Sequence, residues 1–396
     1  MDVKVDIKNS ARRLESRLET LRKDKTVLPV NKKTIVEFDS YLGSIGIGNL
    51  RRLKYLHALS WLSRSVKKSF SKITKEDLVA LVGKVEASNL RQWTKVDRRI
   101  TVKRFFKWFR GNDEEYPPEV KWMKCHMKER LVKMPEELLS EEDIKNLADA
   151  CAKPRDKAFI QILYESGCRS SELLTVQLKN VEFDEYGAVM RVTGKTGDRR
   201  VRIIASSPAL ATWMDFHPFK DDSQAYLWSK NKCLKYNDRT PFSPSYARKL
   251  LQEAAKAAGI KKRIYPHLFR HSRATNLANK LTEAQMKEYF GWVQGSNMAS
   301  VYVHLSGRDV DNAILEINGL RKSEEGKMEK FNLVFCDRCD KQNSPGSKFC
   351  THCGYGLDKD AQNQPAPQKS NELLKQLMKD SEFREIMMKK IVEMSL

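Results

Sequence analysis

His267 and Arg270, in the run Pro266-His267-Leu268-Phe269-Arg270-His271-Ser272, and Tyr302, thirty-two positions after Arg270, constrain the fold of this chain more than any other feature. Residues three apart on a helix share a face, so an imidazole and a guanidinium there can hold a phosphodiester. Arg169, in Gly167-Cys168-Arg169-Ser170-Ser171-Glu172, adds a second permanent positive charge, and Tyr302 adds a phenol. A chain that uses this set must fold both ends of the 169–302 stretch onto one pocket.

The surrounding sequence suits a polyanion. Net charge is +22 over 396 residues. It is uneven: residues 1–135 carry +16, residues 136–330 carry +5 and residues 331–396 carry +1. A basic first third interleaved with several helical patterns points to nucleic acid rather than to a membrane surface, which would favour one terminal amphipathic segment. No apolar run reaches the ~18 residues of a membrane span. The first residues lack an apolar signal region, so a cytoplasmic protein is expected.

Apolar spacing predicts helices over 9–26, 31–42, 50–66, 74–85 and 89–110. The last has Trp93, Val96, Ile100, Phe105, Phe106 and Phe109 as its apolar side. Its basic side, with the start of the third helix, supplies the expected DNA contacts: Arg51, Arg52, Lys54, Lys95, Arg98, Arg99, Lys103, Arg104 and Lys107, with Asp97 as the opposing charge. A boundary is expected near Met134-Pro135. Ser140 then caps a helix whose first turn holds Glu141, Glu142 and Asp143. Helices follow around 156–167 and 170–174. Strands are expected over 188–192 and 200–204, joined through Gly194-Lys195-Thr196-Gly197-Asp198. Further helices are expected over 243–259, 266–279, 283–290, 298–303 and 310–318.

The chemistry of the constellation is phosphoryl transfer. Two guanidiniums, Arg169 and Arg270, can pair with non-bridging oxygens as charge builds on phosphorus. His267 can move a proton near neutral pH. Lys195, at a hairpin tip, can protonate a departing 5′-oxygen, and the Trp292 indole N–H is a further donor. The Tyr302 phenol, ordinarily of pKa ~10, is expected to be activated by these cations. His271 is read as turned away from the pocket, a structural histidine, and Glu172 as orienting or neutralising Arg169. Gly194-Lys195-Thr196 is not a nucleotide phosphate loop: Val189 replaces the required upstream glycine, and a strand rather than a helix follows.

In order and spacing these residues resemble the tyrosine recombinases, the phage integrase family. The family's Gly-x-Arg-x-x-Glu element is matched by Gly167, Arg169 and Glu172, its hairpin lysine by Lys195, and its His-x-x-Arg-His-Ser/Thr helix by His267 to Ser272. Its Tyr-x-His is matched by Tyr302 and His304, while its usual Gly-His appears as Gly291-Trp292. The resemblance covers about residues 30–320. It implies cleavage and rejoining of double-stranded DNA at a specific site through a 3′-phosphotyrosyl link, with neither ATP nor a catalytic metal. It further implies a homotetramer on two duplexes. Integration or excision of a mobile element is expected. Chromosome-dimer resolution, type IB topoisomerase-like relaxation and a catalytically silent DNA-binding regulator are the alternatives.

Cys336-Asp337-Arg338-Cys339 and Cys350-Thr351-His352-Cys353 have the spacing of a zinc ribbon. Four thiolates would close a structural site around one zinc ion, with His352 outside it. Such an appendage suggests an archaeal-type integrase. The expected architecture is mainly α with a small β component. A helical core-binding domain (1–134) precedes a mixed α/β catalytic domain (135–322), a zinc ribbon (331–357), a flexible linker (358–370) and an amphipathic helix (371–396). That last helix needs a partner surface, and a protein partner is expected for it.

Overall fold

The computed structural model describes residues 6–111, 115–126, 137–229, 240–278, 280–305, 333–344, 347–350, 353, 355–358 and 361. The chain divides into two compact units, Met1–Lys133 and Met134–Leu396. The helix expected over 310–318, the tail helix over 371–396 and most of the linker lie outside the described residues, as does His352.

The first unit is helical: α1 (Ser10–Lys23), α2 (Pro29–Ser44), α3 (Asn49–Val66), α4 (Lys75–Ala87), α5 (Gln92–Phe109) and the short α6 (Pro118–Lys121). Thr74 starts α4 with a reciprocal capping box to Asp77, satisfying two N–H groups that the helix cannot bond itself. The core gathers Ile35, Phe38, Leu56, Leu59, Phe70, Phe105 and Phe106. Phe38 and Phe70 meet Phe105 edge-on at 5.4 and 4.8 Å, the geometry that aromatic quadrupoles favour. Buried Asn31 is fully used: its amide donates to Ser63 Oγ and the Lys68 carbonyl, and its oxygen accepts from the Phe70 N–H. Trp93 departs from expectation. It is 65% exposed, because it stands in the first turn of α5, where the helix has little packed against it.

The second unit is built around α8 (Pro154–Glu165), buried on every side from Ala158 to Tyr164. It follows α7 (Glu141–Asp149), which Ser140 caps as expected in a box with Asp143. After α9 (Ser170–Leu174) comes an antiparallel sheet of β1 (Val181–Asp184), β2 (Gly187–Gly194) and β3 (Gly197–Ile203). The expected hairpin is β2–β3, closed by Gly194 opposite Gly197 with Lys195 and Thr196 at its tip. The sheet has one strand more than the sequence reading placed. β1 is an edge strand with two carboxylates in four residues and three exposed positions, which hides the strand signal. Glu165 then binds the chain leaving the sheet: its carboxylate accepts the N–H groups of Ile204, Ala205 and Ser206 at 2.7, 2.9 and 2.7 Å. Among the described residues five helices follow: α10 (Ser207–Asp215), α11 (Pro244–Ala257), α12 (Pro266–Leu277), α13 (Glu283–Phe290) and α14 (Met298–Leu305). Beyond them, β4 (Val334–Phe335) pairs antiparallel with β5 (Gln342–Asn343) beside the cysteines.

Candidate active site

Three turns shape the site. Arg169 is the N-cap of α9, so its side chain leaves the chain where α8 ends and the backbone reverses at Gly167, φ +55. α12 starts at Pro266, whose missing N–H costs nothing in a first turn, and presents His267, Arg270 and His271. α13 ends at Gly291, φ +58, a left-handed cap that a β-carbon would disfavour, and Trp292 follows.

Arg270 is 4% exposed. Two of its N–H groups donate to the carbonyls of Gly167 (2.8 Å) and Phe290 (2.5 Å). The guanidinium is thereby fixed by the two backbone turns that flank the pocket. Burial, with Arg169 next in effect, lowers its pKa to about 10, still well above neutrality. Arg169 donates to Glu172 Oε1 at 2.6 Å and to the Gly291 carbonyl at 3.3 Å. Glu172, 2% exposed, also accepts the Arg169 backbone N–H. His267 stands at the exposed rim. The protein packed around it, and then the charges of Arg270 and Arg169, hold its pKa below the ordinary histidine value, so it is neutral near pH 7.

Tyr302 is 3% exposed, and its ring stacks on Trp292 at 5.5 Å, with Trp292 stacked in turn on Phe290 at 4.9 Å. Its hydroxyl shares a 2.5 Å hydrogen bond with His271 Nδ1. Two expectations are corrected here. His271 is not turned away: it lies four residues after His267, and positions i and i+4 share a face, with the two rings 5.7 Å apart. Nor do the cations activate the phenol in this state. Burial pushes Tyr302 up to about 12, outweighing Arg270. Trp292 contributes its ring face to this stack.

Lys195 is exposed at the hairpin tip, and its neighbour Thr196 donates to the Gly291 carbonyl at 3.0 Å. Sequence reasoning missed Arg199 on β3, which is 9% exposed and bonded to Glu172 Oε2 at 2.8 Å. A signal was available, since Arg199 has the same parity as buried Val201 and Ile203 on a period-two strand.

The basic face of the first unit is less open than its sequence suggested, because Asp97 is not the sole opposing charge. Lys95 is 6% exposed and donates to the Glu86 carbonyl at 2.6 Å, which removes it from the candidate DNA contacts. Arg52 is held by Asp39 at 3.0 and 2.5 Å, with the carboxylate 5% exposed, so it too is structural. Arg99 pairs with Glu86 at 3.0 Å, and Lys103 donates to the Met123 carbonyl at 3.1 Å. Arg98 lies over Trp61 and Lys107 near Tyr116, while Arg104 is half-buried. Arg51 and Lys54 share Asp97, Lys54 from an exposed position and Arg51 from a half-buried one. Exposed pairs are worth about 0–1 kcal/mol and exchange readily for phosphate.

The four cysteines converge. Their sulfur atoms all lie within 4.8 Å of one another, with Cys336 and Cys353 at 3.5 Å and Cys339 and Cys350 at 3.6 Å. The Asn343 amide donates to Cys350 Sγ at 3.6 Å. Four gathered thiols fit one tetrahedral metal ion and offer it no open position. No helix among the described residues is long and apolar enough to cross a membrane.

Compared with known proteins, residues 137–308 match the phage integrase family. Tyrosine recombinase XerA of Pyrococcus furiosus is 25% identical over 183 residues, covering 46% of this chain and 61% of that protein. Tyrosine recombinase XerA of Pyrococcus horikoshii is 25% identical over 291 residues, 72% of this chain and 93% of that one. Tyrosine recombinase XerD of Chlorobaculum tepidum is 33% identical over 151 residues, 35% of this chain and 48% of that one. Among solved structures, the Tn1549 transposon integrase in complex with transposon right end DNA superposes with a TM-score of 0.57 at 15% identity, over 74% of this chain and 99% of that one. A lambda integrase dimer bound to a COC′ core site gives 0.55 at 14% identity, over 70% and 78%. The helical architecture is that of these solved structures, and the family resemblance rests on residues 137–308, which match the phage integrase family.

Proposed function

We propose that the chain is a site-specific DNA recombinase with Tyr302 as its nucleophile. The observation that carries this reading is the cluster at the start of α12: the Tyr302 hydroxyl is hydrogen-bonded to His271, and Arg270, Arg169 and His267 are gathered close by. In the proposed reaction the Tyr302 oxygen attacks the phosphorus of a scissile phosphodiester. A P–O bond to tyrosine forms as the bond to the 5′-oxygen breaks, leaving a 3′-phosphotyrosyl link and a 5′-hydroxyl. The phenolic proton passes to an imidazole, with His271 already hydrogen-bonded and His267 at the rim, while Lys195 supplies a proton to the 5′-oxygen. A 5′-hydroxyl of the same or a partner duplex then reverses the step. One ester bond is exchanged for another, so ATP has no part. Arg169 and Arg270 counter the charge on the non-bridging oxygens.

The same reading takes residues 1–134 as a DNA clamp, with Arg51, Lys54, Arg98 and Arg104 as its phosphate contacts. It takes 135–322 as the catalytic domain, acting in the cytoplasm on specific duplex sites as a tetramer, to integrate or excise a mobile element. The relatives' names and the DNA-bound neighbours support recombination. The Pyrococcus relatives support an archaeal type. Cys336, Cys339, Cys350 and Cys353 would hold one structural zinc, supplying a fold to a segment too short for a core of its own.

The test is covalent capture. The full chain is incubated with a randomised duplex library, and DNA that stays attached through denaturation is sequenced, then rebuilt as a nicked duplex that traps the adduct. An enriched site, and its loss in Tyr302→Phe, are expected. An adduct that survives Tyr302→Phe, or none at all, would refute the reading, and relaxation of any plasmid without strand exchange would reassign the chain as a relaxing enzyme.

A further inference from the structure

Arg199 ties the hairpin that carries Lys195 to the floor of the pocket. It sits three rungs from the tip, opposite Val192, with Thr193 opposite Asp198 and Gly194 opposite Gly197 in between. Its Nε donates to the Tyr289 carbonyl at 3.1 Å, at the end of α13, and one terminal nitrogen donates to Glu172 Oε2 at 2.8 Å while lying 3.5 Å from Cys168 Sγ. The other Glu172 oxygen takes Arg169 at 2.6 Å. One carboxylate, 2% exposed, therefore spans two guanidiniums from different elements, one at the start of α9 and one on β3.

Two glycines leave room for this closure. A β-carbon on Gly291 would lie 2.9 Å from Arg199 Nη1, and one on Gly194 would lie 2.7 Å from Glu172 Oε1. Nearer the tip, the Thr196 hydroxyl reaches the Gly291 carbonyl, which also accepts from Arg169. Without Arg199 the hairpin loses its charged tie to Glu172 and its bond to the Tyr289 carbonyl, while the Thr196 hydroxyl's bond to the Gly291 carbonyl remains.

We propose that Arg199 is a positioning residue for leaving-group protonation: it clamps the β2–β3 hairpin so that the Lys195 ammonium is delivered to the departing 5′-oxygen. The inference rests on the reading of Lys195 as general acid. In the step concerned, the bond from phosphorus to the Tyr302 oxygen forms, the bond to the 5′-oxygen breaks, and a proton moves from Lys195 to that oxygen. A sulfur atom in the bridging 5′ position leaves as a thiolate and needs no such proton, because thiols are far more acidic than alcohols. A defect in proton delivery is therefore cured by sulfur. A defect in phosphate grip, in the nucleophile or in folding is not.

The experiment measures single-turnover cleavage by the full chain on the captured site, with oxygen or sulfur at the scissile 5′ position. General acids contribute roughly 100- to 10,000-fold. Lys195→Ala is expected to lose a factor in that range with oxygen and less than about tenfold with sulfur. Arg199→Met is expected to follow the same pattern at the lower end, roughly 100-fold with oxygen, and Arg199→Lys to recover part of it. Equal slowing of Arg199→Met on both substrates, or no slowing, would overturn the proposal while sulfur still rescues Lys195→Ala. If Lys195→Ala is not rescued although Tyr302 still forms its adduct, the general-acid assignment falls and takes this inference with it, leaving the nucleophile standing. Should Arg199→Met fail to fold, Arg199→Lys is read in the same way: a loss confined to the oxygen substrate supports the clamp, and an equal loss on both refutes it.

Discussion

Glu172→Gln tests the electrostatic keystone of the second unit. The carboxylate is 2% exposed and accepts from Arg169 at 2.6 Å, from the Arg169 backbone at 2.9 Å and from Arg199 at 2.8 Å. Glutamine keeps the shape but loses the charge, and its amide group turns a donor toward one of the guanidinium donors. Neutralising one partner of a buried ion pair costs roughly 3–5 kcal/mol. In a unit of this size each kcal/mol shifts Tm by roughly 2–4 °C, so the loss at pH 7 is expected to be roughly 6–20 °C. The pH dependence gives a second, sharper check. Burial by itself would raise the Glu172 pKa, but hydrogen bonds and charge from Arg199 and Arg169 outweigh it and hold the carboxyl below its ordinary 4.5. A depressed pKa adds stability that is fully present above the unfolded value and is lost as pH falls through the folded one. The gap between wild type and Glu172→Gln should therefore be constant above about pH 5 and shrink below about 4.5. Differential scanning calorimetry from pH 7 to 3.5 measures it. A loss under about 1 kcal/mol at pH 7, the range of an exposed pair, or a gap that stays constant down to pH 3.5, would refute the assignment of Glu172 as a buried shared counter-ion.

Tyr302→Phe is expected to remove an alkaline weakness as well as the adduct. With the phenol raised to about 12 against an ordinary 10, its contribution is complete below pH 10 and lost as pH rises through 12. Urea unfolding at pH 9 and 11.5 should show the variant gaining roughly 2 kcal/mol on wild type over that interval; no gain would mean that the phenol is not buried in solution. Lys95→Met should leave DNA affinity within about twofold and its salt slope unchanged, whereas Arg104→Ala should lower the slope of log K against log salt by about one. A slope change in the lysine variant, read by fluorescence anisotropy, would place Lys95 on the DNA after all. Stripping zinc with a strong chelator should abolish amide-exchange protection around β4 and β5 while covalent capture on nicked DNA continues. Lost capture would tie the cysteine site to the cleavage reaction.

Much of the site could be read locally. The three- and four-residue steps of α12 set His267, Arg270 and His271 on neighbouring positions of one helix, and the four-residue step from His267 puts His271 on the side of Tyr302. Ser140 and Thr74 announced their helices through caps that act within three residues. The cysteine spacing foretold the convergence of four thiols, because short loops leave each pair little choice of partner. β1 was hidden because edge strands tolerate the charged residues that usually mark loops.

What the sequence by itself determined is the inventory and the periodicity: which charges, which phenol and imidazoles, and which helical positions of α5 and α12 carry them. Only the tertiary structure decided who meets whom. Lys95 and Arg104 lie on the same helix, yet one is spent on the Glu86 carbonyl inside the first unit. Arg169 and Arg199 are thirty positions apart, and only folding sets them on the two oxygens of Glu172. The physical reason is range. Caps, turns and helical faces are set within a few residues along the chain, whereas a Coulomb or hydrogen-bonded pairing depends on a distance of a few ångströms that the packing of remote elements alone can fix.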